Sequence, residues 1–135
     1  PNFWGLTASD SAHGYTGWGG PPKAGEIDGS VVPTAAGGSL AFEPRLCVDA
    51  LEYMKQLYGD KAYLKYGFVD AFNPEKRWYN SDVIGIDVGP MVLIAENCRT
   101  GFVWKTFMSS PEMQSRFHAA QRCREKLWMC ITPVH

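Results

Sequence analysis

Glycine interrupts the first third of this chain so often that the segment cannot be mostly helix or mostly strand. Gly5, Gly14, Gly17, Gly19, Gly20, Gly25, Gly29, Gly37 and Gly38 all precede Phe42, and Pro21, Pro22 and Pro33 add further breaks. No helical or alternating period survives that density, so residues 1–42 are predicted to be mostly ordered loop. The segment is not low in complexity, because Phe3, Trp4, Tyr15 and Trp18 alternate with Asp10, Ser11 and His13. An irregular stretch of that length in a compact domain is usually functional. Asp28-Gly29 signals a turn, and Ser30-Val31-Val32 a short strand.

Helices are thereby confined to the rest of the chain. Glu43–Tyr58 is the clearest, with Pro44 suited to the first helical position and Gly59 to the residue past the end. Leu46, Cys47, Ala50, Leu51, Met54 and Leu57 recur at three- and four-residue intervals and predict its core face. Asn73-Pro74 marks a turn, and Trp78, Tyr79, Asn80 and Asp82 read as a loop with exposed aromatics. A second helix is predicted from Pro90 to Arg99, continuing after Gly101 from Phe102 to Met108. At about 100° per residue, Glu96, Asn97 and Thr100 cluster around Leu93, opposite Met91, Ile94, Ala95 and Cys98. Ser110-Pro111-Glu112 combines an N-cap, a first-turn proline and a first-turn acid, and starts a last helix. Its buried face is predicted to be Met113, Phe117, Ala120 and Leu127, with Cys123.

Between Tyr66 and Asn97, Asp70, Asp87 and Glu96 sit among aromatic and aliphatic neighbours. Carboxylates rarely enter apolar surroundings without a partner, so the three predict a polar pocket in a hydrophobic wall. Burial would keep Glu96 protonated, whereas Asp87, just before a helix N-terminus, would be ionised. Opposed environments of this kind suit a general acid and base. The simpler alternatives are that Asp87 caps the helix and Glu96 bonds a neighbouring loop. Trp4, Tyr15, Trp18, Trp78 and Tyr79 have the flat apolar faces that stack on sugar rings, while Trp104 and Phe107 read as core.

Other classes find little support. The 135 residues suffice for one domain with a core, and 45% hydrophobic content excludes a disordered chain. A net charge of −1 leaves no electrostatic footprint for nucleic acid or an anionic membrane. No apolar run approaches the ~20 residues that span a bilayer. Cys47, Cys98, Cys123 and Cys130 form no C-x-x-C pair and read as buried hydrophobes, with a Cys123–Cys130 bridge as an alternative. The three histidines are too dispersed for a zinc motif, and Asp10 with His13 reads as a loop anchor. Neither metal nor cofactor is expected. The opening Pro-Asn-Phe-Trp-Gly-Leu-Thr looks like the interior of a domain, so the chain is expected to be part of a longer one.

Several long motifs occur in a recognisable order. They are Phe3-Trp4-Gly5-Leu6-Thr7-Ala8-Ser9-Asp10-Ser11 with His13-Gly14-Tyr15; Pro33-Thr34-Ala35-Ala36; Tyr66-Gly67-Phe68-Val69-Asp70-Ala71-Phe72-Asn73; Ile86-Asp87-Val88-Gly89-Pro90; and Glu96-Asn97-Cys98-Arg99-Thr100-Gly101. Over residues 3–111 the chain resembles the bacterial glycoamylase-like family, which includes endo-β-1,2-glucanases and a domain of cyclic β-1,2-glucan synthases. The resemblance implies a mainly α protein, the C-terminal portion of an (α/α) toroid of six helical hairpins. Residues 1–42 would be a loop-rich groove segment and 43–128 a helical hairpin segment. It further implies hydrolysis of a bacterial β-glucan, β-1,2-linked, with inversion, in a periplasmic or secreted protein; the alternative is a non-catalytic carbohydrate-binding remnant. The partner would be an oligo- or polysaccharide. Asp70, Asp87 and Glu96 would be catalytic, with Trp4, Asp10, Tyr15, Trp18, Asn73, Trp78 and Asn97 contacting sugar. Two departures stand out: Val88 replaces the usual Gln and Cys98 the usual Tyr, each exchanging a hydrogen-bonding group for a small apolar one. The resemblance does not extend to residues 112–135.

Overall fold

The computed structural model describes residues 3–18 and 27–131, with 122–131 as helical backbone. It is mainly α and divides into two compact units, Pro1–Arg99 and Thr100–His135. In the first unit a narrow hairpin pairs Ser9 with Thr16 and turns at Ser11–Gly14, which exchange backbone hydrogen bonds of 3.0 and 3.1 Å. The glycine-rich segment is less irregular than its composition predicts. Pro33–Gly38 forms a short helix, α1, because Pro33 pre-sets its first turn after extended Val32. Val31 bridges Phe72, as the predicted short strand requires, with backbone bonds of 2.8 and 2.9 Å.

Helix α2 runs Pro44–Ala62 with Pro44 in its first turn. Tyr58 leaves helical geometry (φ −130°, ψ 16°), so the predicted stop is a break followed by one further turn. Its buried face is narrower than predicted. Cys47, Ala50 and Met54 are buried, but Leu46 and Leu57 are exposed, left uncovered by the described residues of this unit. Tyr63–Leu64 (β1) pairs antiparallel with Gly67–Phe68 (β2), and Phe72–Asn73 (β3) with Trp78–Tyr79 (β4). The segment 78–79, predicted as loop, is therefore a strand. Phe72 is fully buried at the centre of an aromatic cluster with Phe3, Tyr58 and Tyr79, its ring parallel to that of Tyr79 at 5.9 Å. Burial of a side chain of this size contributes roughly 1.5–3 kcal/mol.

Helix α3 spans Gly85–Thr100 and starts five residues before the predicted Pro90. Pro90 thus stands inside the helix, in its second turn, where it removes the N–H that would otherwise bond the Ile86 carbonyl. Gly37 lets α3 approach α1: a Cβ at that position would lie 2.5 Å from the Met91 side chain.

In the second unit α4 is Phe102–Met108 and α5 is Pro111–Ile131. Ser110 caps α5 as predicted, its Oγ accepting from the Met113 N–H at 3.2 Å. Trp104 and Phe107 are exposed rather than core, and with Val103 they line a cavity of about 160 Å³. Phe117 and Ala120 are exposed too, while Met113 is half-buried; a two-helix unit has too little surface to cover every apolar side chain. The side chains of Cys123, Leu127 and Cys130, and residues 19–26, lie outside the described residues. Within those described, no helix is long and apolar enough to cross a membrane.

Candidate active site

The first unit holds an open cavity of about 570 Å³, lined by Asp10, Asp70 and Asp87 with Thr7, Ser9, Tyr15, Thr34 and Ile86 among its other walls. That volume is within the ~300–1,000 Å³ range of small-molecule sites. Three separate segments deliver the acids. The Ser9–Thr16 hairpin carries Asp10 and Tyr15. Asp70 sits between buried Val69 and Ala71, tied down by Val69 N–H to Ala62 O at 3.0 Å and its own N–H to Asp82 O at 2.9 Å. Asp87 lies in the first turn of α3, and its carbonyl accepts from Thr34 Oγ1 at 2.8 Å, which fixes α3 against α1.

Asp70 and Asp87 are both buried. Asp70 Oδ2 accepts from the Asp10 backbone N–H at 2.8 Å and from Asn80 Nδ2 at 3.3 Å. Among the described residues, none outside the pair donates to Asp70 Oδ1 or Asp87 Oδ2. Burial pushes the Asp87 carboxyl up to about 6, and the charge of Asp70 and a hydrogen bond between the two carboxyls act in the same direction. Two ionised carboxylates have no donor to offer each other, so a hydrogen bond between them requires that one retain a proton.

The expected assignment of charge is thus reversed at Asp87. Its place at a helix N-terminus favours the anion by up to about 2 kcal/mol in a buried setting. A rise from 3.8 to about 6 corresponds to about 3 kcal/mol the other way. Burial beside a second carboxyl wins.

Glu96 does not join them. It lies nine residues beyond Asp87 on α3, and at about 100° and 1.5 Å per residue that places it on the opposite face, about 14 Å along the axis. Its carboxylate takes two hydrogen bonds from Arg99, at 2.9 and 3.1 Å. Glu96 is half-buried. Asn97, also on this part of α3, is outside the cavity lining. Asn73 is fully buried, and its amide bonds Asp28 O at 2.9 Å, Ser30 Oγ at 3.4 Å and the Lys76 N–H at 3.0 Å. It organises the β3–β4 turn instead of facing a ligand. Trp4 and Trp78 are likewise outside the cavity lining. Trp18 reaches the wall indirectly, donating from Nε1 to Ser9 Oγ at 3.2 Å, and Tyr15 stands at the rim with most of its surface exposed.

Asn80 was read only as a loop residue, yet it is buried and donates to Asp10 Oδ2 at 3.2 Å as well as to Asp70. No local pattern marks it, since its acid partners lie 70 and 10 positions away. The two departures from the family pattern fall elsewhere. Val88 lines a separate apolar groove with Leu51, Phe68 and Met91, and Cys98 Sγ bonds Leu40 O at 3.5 Å. Among the described residues no group of acidic, histidine or cysteine side chains could hold a metal ion.

Fold and cavity together define a mainly α protein with a carboxyl-lined cavity. A family model described as "Putative glucoamylase" matches residues 1–111, and the chain belongs to this glycoamylase family. It is 34% identical over 118 residues to an exo β-1,2-glucooligosaccharide sophorohydrolase (non-reducing end) of Parabacteroides distasonis, covering 87% of this chain and 16% of that protein. An endo-β-1,2-glucanase from Chitinophaga pinensis, solved with sophorotriose and glucose, superposes with a TM-score of 0.76 at 40% identity, over 84% of this chain and 27% of that one. A β-1,2-glucanase structure from Parabacteroides distasonis gives 0.76 at 34% identity, over 84% and 16%. The chain therefore spans about a sixth of the curated relative's length.

Proposed function

We propose that this chain forms part of a glycoside hydrolase domain acting on a β-1,2-linked glucan, within an (α/α) toroid, and that its acidic cavity belongs to the sugar site. The observation that carries the reading is the buried Asp70–Asp87 contact in an open cavity; the β-1,2-glucan activities named for its relatives support it. Asp87 is the candidate general acid: it lines the cavity, and its raised pKa leaves it a proton to give to the departing glycosidic oxygen. Asp70 is its partner. Carboxyl groups that flank a scissile bond stand about 5–5.5 Å apart in retaining enzymes and about 6.5–9.5 Å in inverting ones, so a pair in hydrogen-bond contact does not straddle the bond. The carboxylate that activates water is a different group, and we infer inversion from the likeness to the toroid family. Asp10 and Tyr15 contact the sugar.

The test is hydrolysis of β-1,2-gluco-oligosaccharides by the whole protein, with the anomer of the first product read by NMR. Asp87→Asn is expected to lower the rate by about 10²–10⁴-fold, and Glu96→Gln to leave it nearly unchanged. Wild-type rates in Asp87→Asn would remove the assignment. The same close contact favours a second reading, a carbohydrate-binding site without turnover. In that case the oligosaccharides quench tryptophan fluorescence while remaining intact.

A further inference from the structure

Asn80 bonds every side of its amide. Its Oδ1 accepts from the Asp82 N–H at 3.0 Å, which fixes the amide so that Nδ2 is the group facing the acids. From there Nδ2 reaches Asp10 Oδ2 and Asp70 Oδ2 at 3.2 and 3.3 Å. Its backbone N–H is anchored as well, to Ala71 O at 3.0 Å. Asp70 is therefore asymmetric. One oxygen holds two donors, Asn80 Nδ2 and the Asp10 N–H, and the other, Oδ1, holds none from outside the pair among the described residues.

We propose that Asn80, together with the Asp10 backbone amide, stabilises Asp70 as the anion and thereby leaves the proton of the Asp70–Asp87 pair on Asp87. Donors aimed at a carboxylate favour its charged form, and Asp87 has none aimed at its buried oxygen. Asn80 is absent from the cavity lining, so it acts through Asp70 as a positioning residue. The groups facing the pair are few. The N-terminal hairpin presents Asp10 and Tyr15, and α1 presents the neutral Thr34. Asp82 contributes its backbone beside Asn80, and α3 contributes Asp87 itself. The inference rests on the cavity being the acid site proposed above.

Site-resolved ¹³C titration of the aspartate carboxyls in the whole protein tests it, with resonances assigned through Asp70→Asn and Asp87→Asn. In the wild type between about pH 4 and 6, the proton of the pair is expected on Asp87. In Asn80→Ala the protonated fraction at Asp87 should fall in that window and reappear at Asp70. Asn80→Ser, whose shorter hydroxyl keeps a donor, should move the proton less and serves if the alanine variant does not fold. A wild-type proton on Asp70, or unchanged titration of both acids in whichever Asn80 variant folds, overturns the proposal. The measurement reads protons and not turnover. Hydrolysis with the proton on Asp70 removes this inference alone; the expected titration in a protein that cleaves no β-1,2-glucan removes the hydrolase reading alone.

Discussion

Replacing Asp87 with Asn should make the protein more stable, and more so as the pH rises. In the folded state the carboxyl titrates at about 6 against an ordinary 3.8. A carboxyl raised by folding binds its proton more tightly in the native state. Its contribution to stability is complete below pH 3.8 and is lost as the pH climbs through about 6. The rise of about two units, at about 1.4 kcal/mol each, amounts to about 3 kcal/mol withheld from the wild type at neutral pH. Asn has the shape of the protonated acid, stays neutral, and its amide can donate to the orphaned Asp70 Oδ1. Urea titrations at pH 4, 5, 6 and 7 measure the effect. The variant should match the wild type near pH 4 and gain roughly 2–3 kcal/mol by pH 7, an increase of at least about 8 °C in Tm for a domain of this size. A difference that is flat with pH, or a variant less stable at pH 7, would refute the account of Asp87 as a buried acid held against its charged neighbour.

Two further substitutions probe the frame that carries the site. Asn73→Ala removes an amide with three hydrogen bonds in a fully buried position and should cost about 2–4 kcal/mol in a urea titration; a loss limited to sugar affinity would restore it as a ligand contact. Gly5 has φ +140°, and a Cβ there would stand 2.6 Å from Val32 O. Gly5→Ala should therefore cost about 1–3 kcal/mol, read as a lower melting temperature, and an unchanged melt would mean the backbone yields at that point.

Much of the helical plan could be read from the chain, because Pro44, the Cys47-Ala50-Met54 spacing and Ser110-Pro111-Glu112 are local signals. Asp70 and Asp87 were legible as a pocket for a similar reason: each is an acid in an apolar run. Glu96 looked equivalent by that criterion and was not. Starting α3 at Pro90 left Asp87 off the helical wheel, whereas a start at Gly85 places the two acids on opposite faces. Composition also concealed α1, since the glycines around it outweighed the Pro33-Thr34-Ala35-Ala36 signal. Asn80 could not be found locally, because its role depends on Asp10 being folded back across 70 positions of chain. At Asp87 the expectation of an environment favouring the anion failed on magnitude, a helix terminus being weaker than burial beside another acid.

The Ser9–Thr16 hairpin separates two jobs that loops often combine. Its base is held by backbone bonds of 3.1 and 2.8 Å and by the Asp10 N–H on Asp70, while Ala12 and His13 at the tip are exposed. Residues at the tip are free to diverge in size and polarity, and so to redraw which ligands enter, without disturbing the acids beneath them.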